Sequence, residues 1–187
     1  MNKQVEMVFW DVQHGHSTYI KSPNDKYIIV DLGTGSHKKS NREFSPIRHL
    51  KSNWKVEQLE CLIITHPHLD HIDDILNIDL LNPRNFIRPV QLTNSEVMSG
   101  VRESDKPKFR KYCNLNNKHK SIFNTNYKFG EMNIKIFSPI SCAHSNFNNH
   151  SSITIIEYAG IKVVIPGDNE KCSFDELLSS RAFKNSH

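Results

Sequence analysis

Short apolar runs bounded by turn-forming residues predict a sheet-rich first half of the chain. Four of these runs are predicted to be strands: Val5–Trp10, Thr18–Lys21, Tyr27–Asp31 and Leu59–Thr65. Ser45 and Pro46 are typical of a helix N-cap and first helical position, so we expect a short helix to about Ser52. Beyond His71, apolar residues return at helical spacing and predict a second helix.

The second half of the chain contains one region without a clear pattern, followed by three predicted strands. From about Asn82 to Lys128, prolines, asparagines and a basic, aromatic stretch predict loops around one helix near Ser95–Val101. The three strands are Met132–Phe137, Ser152–Tyr158 and Ile161–Pro166, with a hairpin turn at Ala159-Gly160 between the last two. Ser173 is expected to cap a C-terminal helix.

The composition is that of an ordinary globular protein with one domain. The chain has 187 residues, of which 24% are charged and 37% hydrophobic, and its net charge is +4. This mild positive charge is compatible with an anionic substrate but does not by itself indicate one. The N-terminus lacks the pattern of a secretion signal, and no apolar run is long enough for a membrane helix. Four widely spaced cysteines predict free thiols in a reducing cytoplasm.

A dense group of metal-binding residue types follows the apolar run Leu59–Thr65. His66, His68, Asp70 and His71 lie within six positions. Imidazole and carboxylate ligands suit Zn²⁺, Mn²⁺ or Fe²⁺ better than Ca²⁺. Because alternate residues of an extended chain point the same way, His66 and His68 can reach one ion. Asp70 and His71 come one turn later and can reach a second ion nearby.

Asp168 is the candidate for a carboxylate that touches both ions. It follows the apolar run Ile161–Pro166, and Gly167 leaves backbone room beside it. Read alone, the Gly-Asp pair is an ordinary turn; together with the histidine cluster, it is favoured as a metal ligand. Two ions about 3.5–4 Å apart can clamp both the attacking and the leaving oxygen of a hydrolysed bond.

These motifs resemble those of the metallo-β-lactamase superfamily of two-metal hydrolases. Within that superfamily they are most similar to the branch that includes the hydrolase domain of the competence protein ComEC. The segment Thr65–His71 matches the superfamily's signature loop, and Ile29–Gly33 matches its early strand-to-turn motif. Asn149–Ile153 followed by Gly167-Asp168 is similar to a pair of motifs of the ComEC-like branch. Phe9–Ser17 resembles that branch's opening motif but departs from it at three positions.

The resemblance implies an α/β fold, the four-layer αβ/βα sandwich, formed by one domain over residues 1–187. Residues 82–128 are then a poorly matched insertion. The implied cofactors are two divalent metal ions, with zinc as the first choice and manganese or iron as alternatives. The implied ligands are His66 and His68 at the first ion, Asp70 and His71 at the second, and Asp168 between them.

The resemblance also suggests residues around these ligands. His150 lies where the wider superfamily has a further ligand of the first ion, but the ComEC-like branch more often has asparagine there, which Asn149 matches. An exposed loop histidine is the alternative for His150. Asp11, Asp31 and Asn149 are expected to orient the ligands without binding metal themselves.

One part of the family pattern has no counterpart after Asp168. The superfamily ends with a further strand and a histidine that completes the second metal site. Here Glu170–Ser186 reads as a helix, and His187 has no apolar strand before it. We therefore expect either an incomplete C-terminal part or a weak or empty second site, and in addition an exposed sheet edge that favours self-association.

The implied function is metal-dependent hydrolysis by a metal-bound hydroxide, with Asp70 positioning the nucleophile. The ComEC-like branch suggests a phosphoester substrate, either a nucleotide or nucleic acid. Lys106–Tyr112 alternates cations with aromatics as single-stranded nucleic-acid sites do, although a solvated loop explains this composition better. Two alternatives stay open: a non-catalytic module that binds metal, a partner or nucleic acid, and a thioester or other ester hydrolase.

Overall fold

The computed structural model describes residues 4–37, 42–119 and 126–180. The strands of this part are β1 Glu6–Phe9, β2 Thr18–Lys21, β3 Tyr27–Val30, β4 Gly35–His37, β5 Arg42–Phe44, β6 Cys61–Ile63, β7 Asn85–Ile87, β8 Asn126–Phe129, β9 Met132–Phe137, β10 Ile153–Tyr158 and β11 Ile161–Ile165. The α-helices are α1 Pro46–Ser52, α2 Leu69–Ile72, α3 Asn94–Met98, α4 Lys106–Lys118 and α5 Lys171–Ser179. Short 3₁₀ helices span Ile75–Leu80 and Phe147–His150.

Two larger sheets face each other. The first has the strand order β1-β2-β3-β6-β7, in which β1 to β3 are antiparallel and β3, β6 and β7 are parallel. The second has the order β11-β10-β9-β8 and is antiparallel throughout. Because β6 is an interior parallel strand, both of its faces are buried, and its three residues are all apolar.

Apolar side chains pack on both faces of the first sheet. Ile28 and Val30 of β3 contact the second sheet, whereas Ile29 between them packs under the helices on the opposite face. On the outer face of the second sheet, Leu177 of α5 packs against Ile155. The layers are therefore helices, sheet, sheet and helix. This arrangement confirms the predicted fold class, the four-layer αβ/βα sandwich.

Elements with strong local patterns agree with their predictions. β2 and β9 have the predicted bounds, and the other predicted strands differ only at their ends. Ser45 caps α1 by accepting a hydrogen bond from the Arg48 amide, and Pro46 follows it as the first helical residue. Ala159 and Gly160 have φ angles of 49° and 79°, which is the left-handed conformation that a type I′ hairpin turn requires.

The helix expected after His71 begins and ends earlier than predicted. α2 starts at Leu69, so Asp70 and His71 belong to its first turn, and it stops at Ile72. The physical cause is tertiary: the Leu32 amide donates to the His71 carbonyl, and the Asp74 amide donates to the Leu32 carbonyl. These bonds to a neighbouring chain segment replace the helical ones and leave a 3₁₀ helix to follow.

Helix α4 occupies a stretch that the sequence predicted to be loop, so that prediction is wrong. Pro107 lies in the first turn of the helix, where the missing amide hydrogen costs no hydrogen bond. Phe109, Tyr112 and Cys113 follow at helical spacing and are buried. Strands β4, β5, β7 and β8 were also missed. The first two and β8 have no two consecutive apolar residues, and β7 lies in the region without a clear pattern.

Ser173 lies inside α5 and does not cap it, so that prediction is also wrong. Glu170 is the N-cap residue, and the buried Ser173 hydroxyl donates to the Glu170 carbonyl and to the Asn149 side-chain oxygen. The helix ends at Ser179. The predicted continuation to Ser186, and His187 itself, lie outside the described residues.

Two surface features concern membranes and self-association. No helix of the described chain combines the length and apolar character needed to cross a lipid bilayer. Among the described strands, β11 is an edge of the second sheet, and its Ile161 and Val164 side chains are exposed. Self-association through this edge stays a prediction.

Candidate metal centre

The end of β6 delivers the histidine cluster to one edge of the first sheet. Directly after the strand, the Ile64 amide donates to the Ile87 carbonyl of the neighbouring β7, which holds the chain extended. The chain bends at Thr65 and His66, is extended again at His68, and places Asp70 and His71 in the first turn of α2. This bend and the early start of α2 therefore bring the four side chains into one small volume.

The side-chain atoms of this cluster converge with those of Asp168. The Nε2 atom of His66 lies 2.9 Å from Nδ1 of His68 and 3.9 Å from Oδ2 of Asp168. The Nε2 atom of His71 lies 3.5 Å from Oδ1 of Asp168 and 4.0 Å from Oδ2 of Asp70. All five predicted principal ligands thus meet, although Asp168 is remote in sequence.

The three distances that involve a carboxylate fit a transition-metal ion, whereas the 2.9 Å between His66 and His68 is that of a direct hydrogen bond. Ligands at about 2.0–2.2 Å from a tetrahedral Zn²⁺ stand about 3.4 Å apart, too far for a direct hydrogen bond. His66, His71 and Asp168 each offer one ligand atom within 4.8 Å of the others. The Nε2 atom of His71 is buried and has no hydrogen-bond partner among the described residues. Because an orphaned buried nitrogen is costly, a cation at this position satisfies the group.

Gly167 allows Asp168 to approach the cluster. Its φ angle is 62°, and a Cβ atom at this position would lie 2.8 Å from the Ser151 Cβ and 3.0 Å from the Thr65 Cβ. Only glycine fits such a close approach in a left-handed conformation. The Asp168 amide then donates to the Ser151 hydroxyl. This turn places the carboxylate over the histidines.

Asp31 orients the cluster from below. Its fully buried carboxylate accepts hydrogen bonds from the Thr65 amide at 2.7 Å, the Thr65 hydroxyl at 2.8 Å and Nδ1 of His71 at 2.8 Å. The contact with Nδ1 leaves Nε2 of His71 free to face Asp168. This geometry is the one predicted for Asp31 as an orienting residue.

The electrostatic environment assigns different protonation states to the imidazoles. Burial alone would lower the pKa of His71, but the adjacent Asp31 carboxylate raises it to about 9. Burial would raise the pKa of Asp31, but its imidazole partners His71 and His16 hold it well below its usual range. Burial lowers the pKa values of both His66 and His68. In the metal-free protein, these two side chains are therefore neutral at pH 7, the form that binds metal.

His150 was predicted as a tentative ligand, and the structure contradicts this. Its ring is fully buried, Nδ1 accepts from the Gln91 amide group at 3.0 Å, and Nε2 donates to the Ala143 carbonyl at 3.2 Å. Because Gln Nε2 can only donate and a carbonyl can only accept, both ring nitrogens are already used. His150 is a structural residue.

Asp11 and Asn149 do not contact the ligands in the described structure. The exposed Asp11 carboxylate accepts from the Gln13 amide within its own turn. Asn149 instead contacts Glu170 and Ser173, and so supports the segment that follows Asp168. Their predicted orienting role is corrected accordingly: Asp11 has no part in it, and Asn149 acts only at a distance.

His16 takes the orienting position that sequence reasoning missed. Its Nδ1 atom lies 3.3 Å from Oδ2 of Asp31, and its Nε2 atom lies 2.9 Å from the Thr18 hydroxyl. The signal was present in the hairpin of β2 and β3, whose register pairs Thr18 with Val30. This register brings the residues just before Thr18 next to Asp31.

The comparisons with known proteins agree with this fold. Residues 10–78 match the family model described as Metallo-beta-lactamase superfamily. A Thermotoga maritima protein described as a metallo-beta-lactamase is similar at 14% identity and a TM-score of 0.51, over 97% of this chain and 89% of that one. A HARLDQ-motif mutant of a Cronobacter sakazakii metallo-beta-lactamase is similar at 11% identity and a TM-score of 0.53, over 92% and 71%.

A third similar structure is that of an enzyme with a different chemistry. It is a mutant of CmlA, the diiron beta-hydroxylase of Streptomyces venezuelae, at 12% identity and a TM-score of 0.50, over 88% of this chain and 30% of that one. Other matching structures are also longer than this chain: it spans 61% of one and 54% of another. No protein of curated function matches the sequence significantly.

The family-model match over residues 10–78 and the shared fold show that this chain is similar to proteins of the metallo-beta-lactamase superfamily. Proteins of this superfamily are generally metal-dependent hydrolases, which bind divalent ions such as zinc or iron.

Proposed function

We propose that this protein is a metal-dependent hydrolase that acts on a phosphoester and belongs to the ComEC-like branch. The observation that carries the proposal is the convergence of His66, His71 and Asp168, which each offer one ligand atom within 4.8 Å of the others. The buried, unpartnered Nε2 atom of His71 is the strongest part of this observation. The four free cysteines support the cytoplasmic location that we also propose.

In this proposal, each side chain has a distinct task. His66, His68 and Asp168 would hold one ion, and Asp70, His71 and Asp168 would hold the second. When bound, such ions lower the pKa of water and stabilise the charge on a leaving oxygen. Asp70 is only partly buried and lies 4.0 Å from Nε2 of His71, so its carboxylate would orient the attacking water. Asp31 keeps the His71 ring in the productive orientation.

A cleft beside His68 is the proposed substrate site. Its volume is about 450 Å³, within the range typical of small-molecule sites. Val97, Val101, Phe109 and Phe147 provide apolar walls, and the Phe147 ring centroid lies 5.8 Å from that of His68. The apolar part of a substrate in this cleft therefore lies next to the metal centre.

Arg102 at the rim of this cleft supports an anionic substrate. The side chain is exposed and forms no ion pair within the described part of the chain. A guanidinium matches the geometry of phosphate oxygens through paired N–H donors. Together with apolar walls, it favours a small phosphoester such as a nucleotide.

We expect Arg102→Gln to raise KM for a nucleotide-like phosphodiester about tenfold, equivalent to about 1.4 kcal/mol, with little change in kcat. The reason is that Arg102 contacts the substrate away from the reacting bond. Steady-state kinetics measures both constants. Arg110→Gln is the matched control, because Arg110 is an exposed arginine nearby that does not line the cleft. Equal KM values for both variants would refute the assignment.

Helix α4 gives little support to a long nucleic-acid strand as the substrate. Phe109 and Tyr112 are buried and are not free to stack on bases. Lys108 forms an ion pair with Asp73, and Lys111 pairs with Asp79 at 2.6 Å. Nucleic acid remains a proposed partner on family resemblance, with the nucleotide favoured by the cleft.

The proposed function is tested by metal content and turnover together. We expect the purified protein to bind two equivalents of zinc, manganese or iron, and to hydrolyse bis(p-nitrophenyl) phosphate. His68→Ala and Asp70→Ala should abolish turnover. Asp79→Asn, which changes an exposed carboxylate that pairs with Lys111 on the surface, should not.

The main alternative is a non-catalytic metal-binding or partner-binding module. It draws support from the second site, where the described residues supply only Asp70, His71 and Asp168. One ion or none, with no turnover of phosphoesters, thioesters or other esters, would establish this alternative. Turnover of thioesters alone would replace the phosphoester assignment with an ester hydrolase on the same scaffold.

A further inference from the structure

We propose that Cys142 and Cys172 are a reversible disulfide site that reacts with a small-molecule disulfide such as glutathione disulfide. The two Sγ atoms lie 3.0 Å apart, and both residues are free thiols. A disulfide bond measures about 2.05 Å, so closing the pair requires a movement of only about 1 Å. This proposal does not depend on the hydrolase activity.

The surrounding hydrogen bonds hold the two cysteines opposite each other. Cys142 lies in the loop between β9 and β10, and Cys172 lies in the first turn of α5. On one side of Cys172, Glu170 accepts from the side-chain amides of Asn146 and Asn149 in that loop. On the other side, Glu176 accepts from the Ile140 and Ser141 amides and from the Ser141 hydroxyl. The helix is thus fastened to the loop at two points with the thiol pair between them.

The two thiols differ in solvent exposure, and this difference decides which of them reacts first with the disulfide reagent. Cys172 is exposed, whereas Cys142 is buried. The Cys172 thiolate attacks one sulfur of glutathione disulfide and releases one glutathione thiolate, which leaves a mixed disulfide on Cys172. Cys142 then attacks Sγ of Cys172 and releases the second glutathione.

Glu176 orients the Cys142 thiol for the second step, and the proton of this thiol passes to the departing glutathione thiolate. The Oε2 atom of Glu176 lies 3.7 Å from Sγ of Cys142, and the thiol points its hydrogen toward this carboxylate. The balance is complete: two protein thiols become one disulfide, and one glutathione disulfide becomes two glutathione thiols.

The disulfide would lie close to the metal centre in the chain. Cys172 follows Asp168 by four residues, and the Cys142 loop continues to Phe147, whose ring faces His68. Oxidation therefore ties the wall of the proposed substrate cleft to the segment that carries Asp168.

The test is incubation of the reduced, folded protein with glutathione disulfide, followed by alkylation and peptide mapping by mass spectrometry. We expect a protein two hydrogens lighter, with the Cys142 and Cys172 peptides joined and with Cys61 and Cys113 alkylated. Cys61 and Cys113 serve as internal controls, because they are buried in separate core clusters. Dithiothreitol should restore all four thiols.

Two single variants sharpen the result. In Cys142→Ser, the reaction should stop at a stable glutathione adduct on Cys172. In Cys172→Ser, Cys142 should stay reduced, because the reagent cannot reach it. A stable glutathione adduct on Cys172 in the wild-type protein, with Cys142 still alkylated, would overturn the proposal, as would four unreacted thiols.

Discussion

Asp168→Ala is expected to lower hydrolysis at least about 100-fold, since loss of groups that merely orient metal ligands already costs about 10–100-fold. The Asp168 carboxylate lies 3.9 Å from His66 Nε2 and 3.5 Å from His71 Nε2, so its loss removes a ligand from both proposed sites. Metal analysis should show a parallel fall in bound metal. Turnover of bis(p-nitrophenyl) phosphate measures the rate.

The variant should remain folded, because the Asp168 side chain is nearly half exposed and only its backbone amide binds Ser151. Thermal unfolding of the chelator-treated protein checks this point. Asp79→Asn is the control for loss of an exposed carboxylate that pairs with Lys111 on the surface, and it should keep both metal and activity. Undiminished metal binding in Asp168→Ala would remove this residue from the site.

Asp31→Ala is expected to lower the free energy of unfolding of the metal-free protein by about 3–5 kcal/mol, the range for breaking a buried ion pair. The carboxylate is fully buried and accepts hydrogen bonds from Thr65 and from the charged His71 ring. Its loss leaves these donors without a partner in the interior. Urea unfolding measured after chelation of metal gives the difference.

Asp25→Ala is a matched control for this experiment. Asp25 and Asp31 have nearly the same left-handed backbone, with φ angles of 58° and 60°. Asp25 is exposed and pairs only with Lys21 on the surface. Both substitutions place alanine in a strained conformation, and only one of them empties a buried site. Equal losses of stability would show that the backbone, and not the ion pair, accounts for the effect.

The pH dependence of the free energy of unfolding of the same metal-free protein should separate the effect of the Asp31 charge from that of its side-chain shape. Asp31 raises the pKa of His71 from 6.5 to about 9, so the protonated imidazole favours the folded state. This contribution is fully present below about pH 6.5 and is lost as the pH rises through about 9. Asp31→Asn keeps the side-chain shape but removes the charge, so its stability should change less between these two pH values.

Much of the architecture follows from local patterns. Apolar runs predicted β2, β3, β6, β9 and β10 because each packs at least one face against a core. The run of β11 was predicted too, although only its Ile165 is buried. Ser45 and Pro46 predicted the start of α1 because capping depends on only a few neighbouring residues. Helix α4 was missed because its N-terminal proline is equally typical of loops, and packing of Phe109 and Tyr112 on the first sheet decides in favour of the helix.

The candidate site also combines contacts that local patterns predict with contacts that only the packing of distant segments decides. His66, His68, Asp70 and His71 are close in the chain, so strand and helix geometry alone could place them together. The status of His150 could not be predicted in this way, because its two hydrogen-bond partners, Gln91 and Ala143, come from different segments.

The amino-acid sequence by itself indicated the resemblance to the superfamily, the metal-binding residue types and most strands, because these depend on spacing within short segments. Only the tertiary structure decided how distant segments meet: Asp168 over His71, Asp31 and His16 beneath it, and Cys142 against Cys172. The physical reason is that these contacts depend on sheet register and on packing between layers. A one-residue change in register turns a strand's side chains to the other face, and no local pattern specifies the partner.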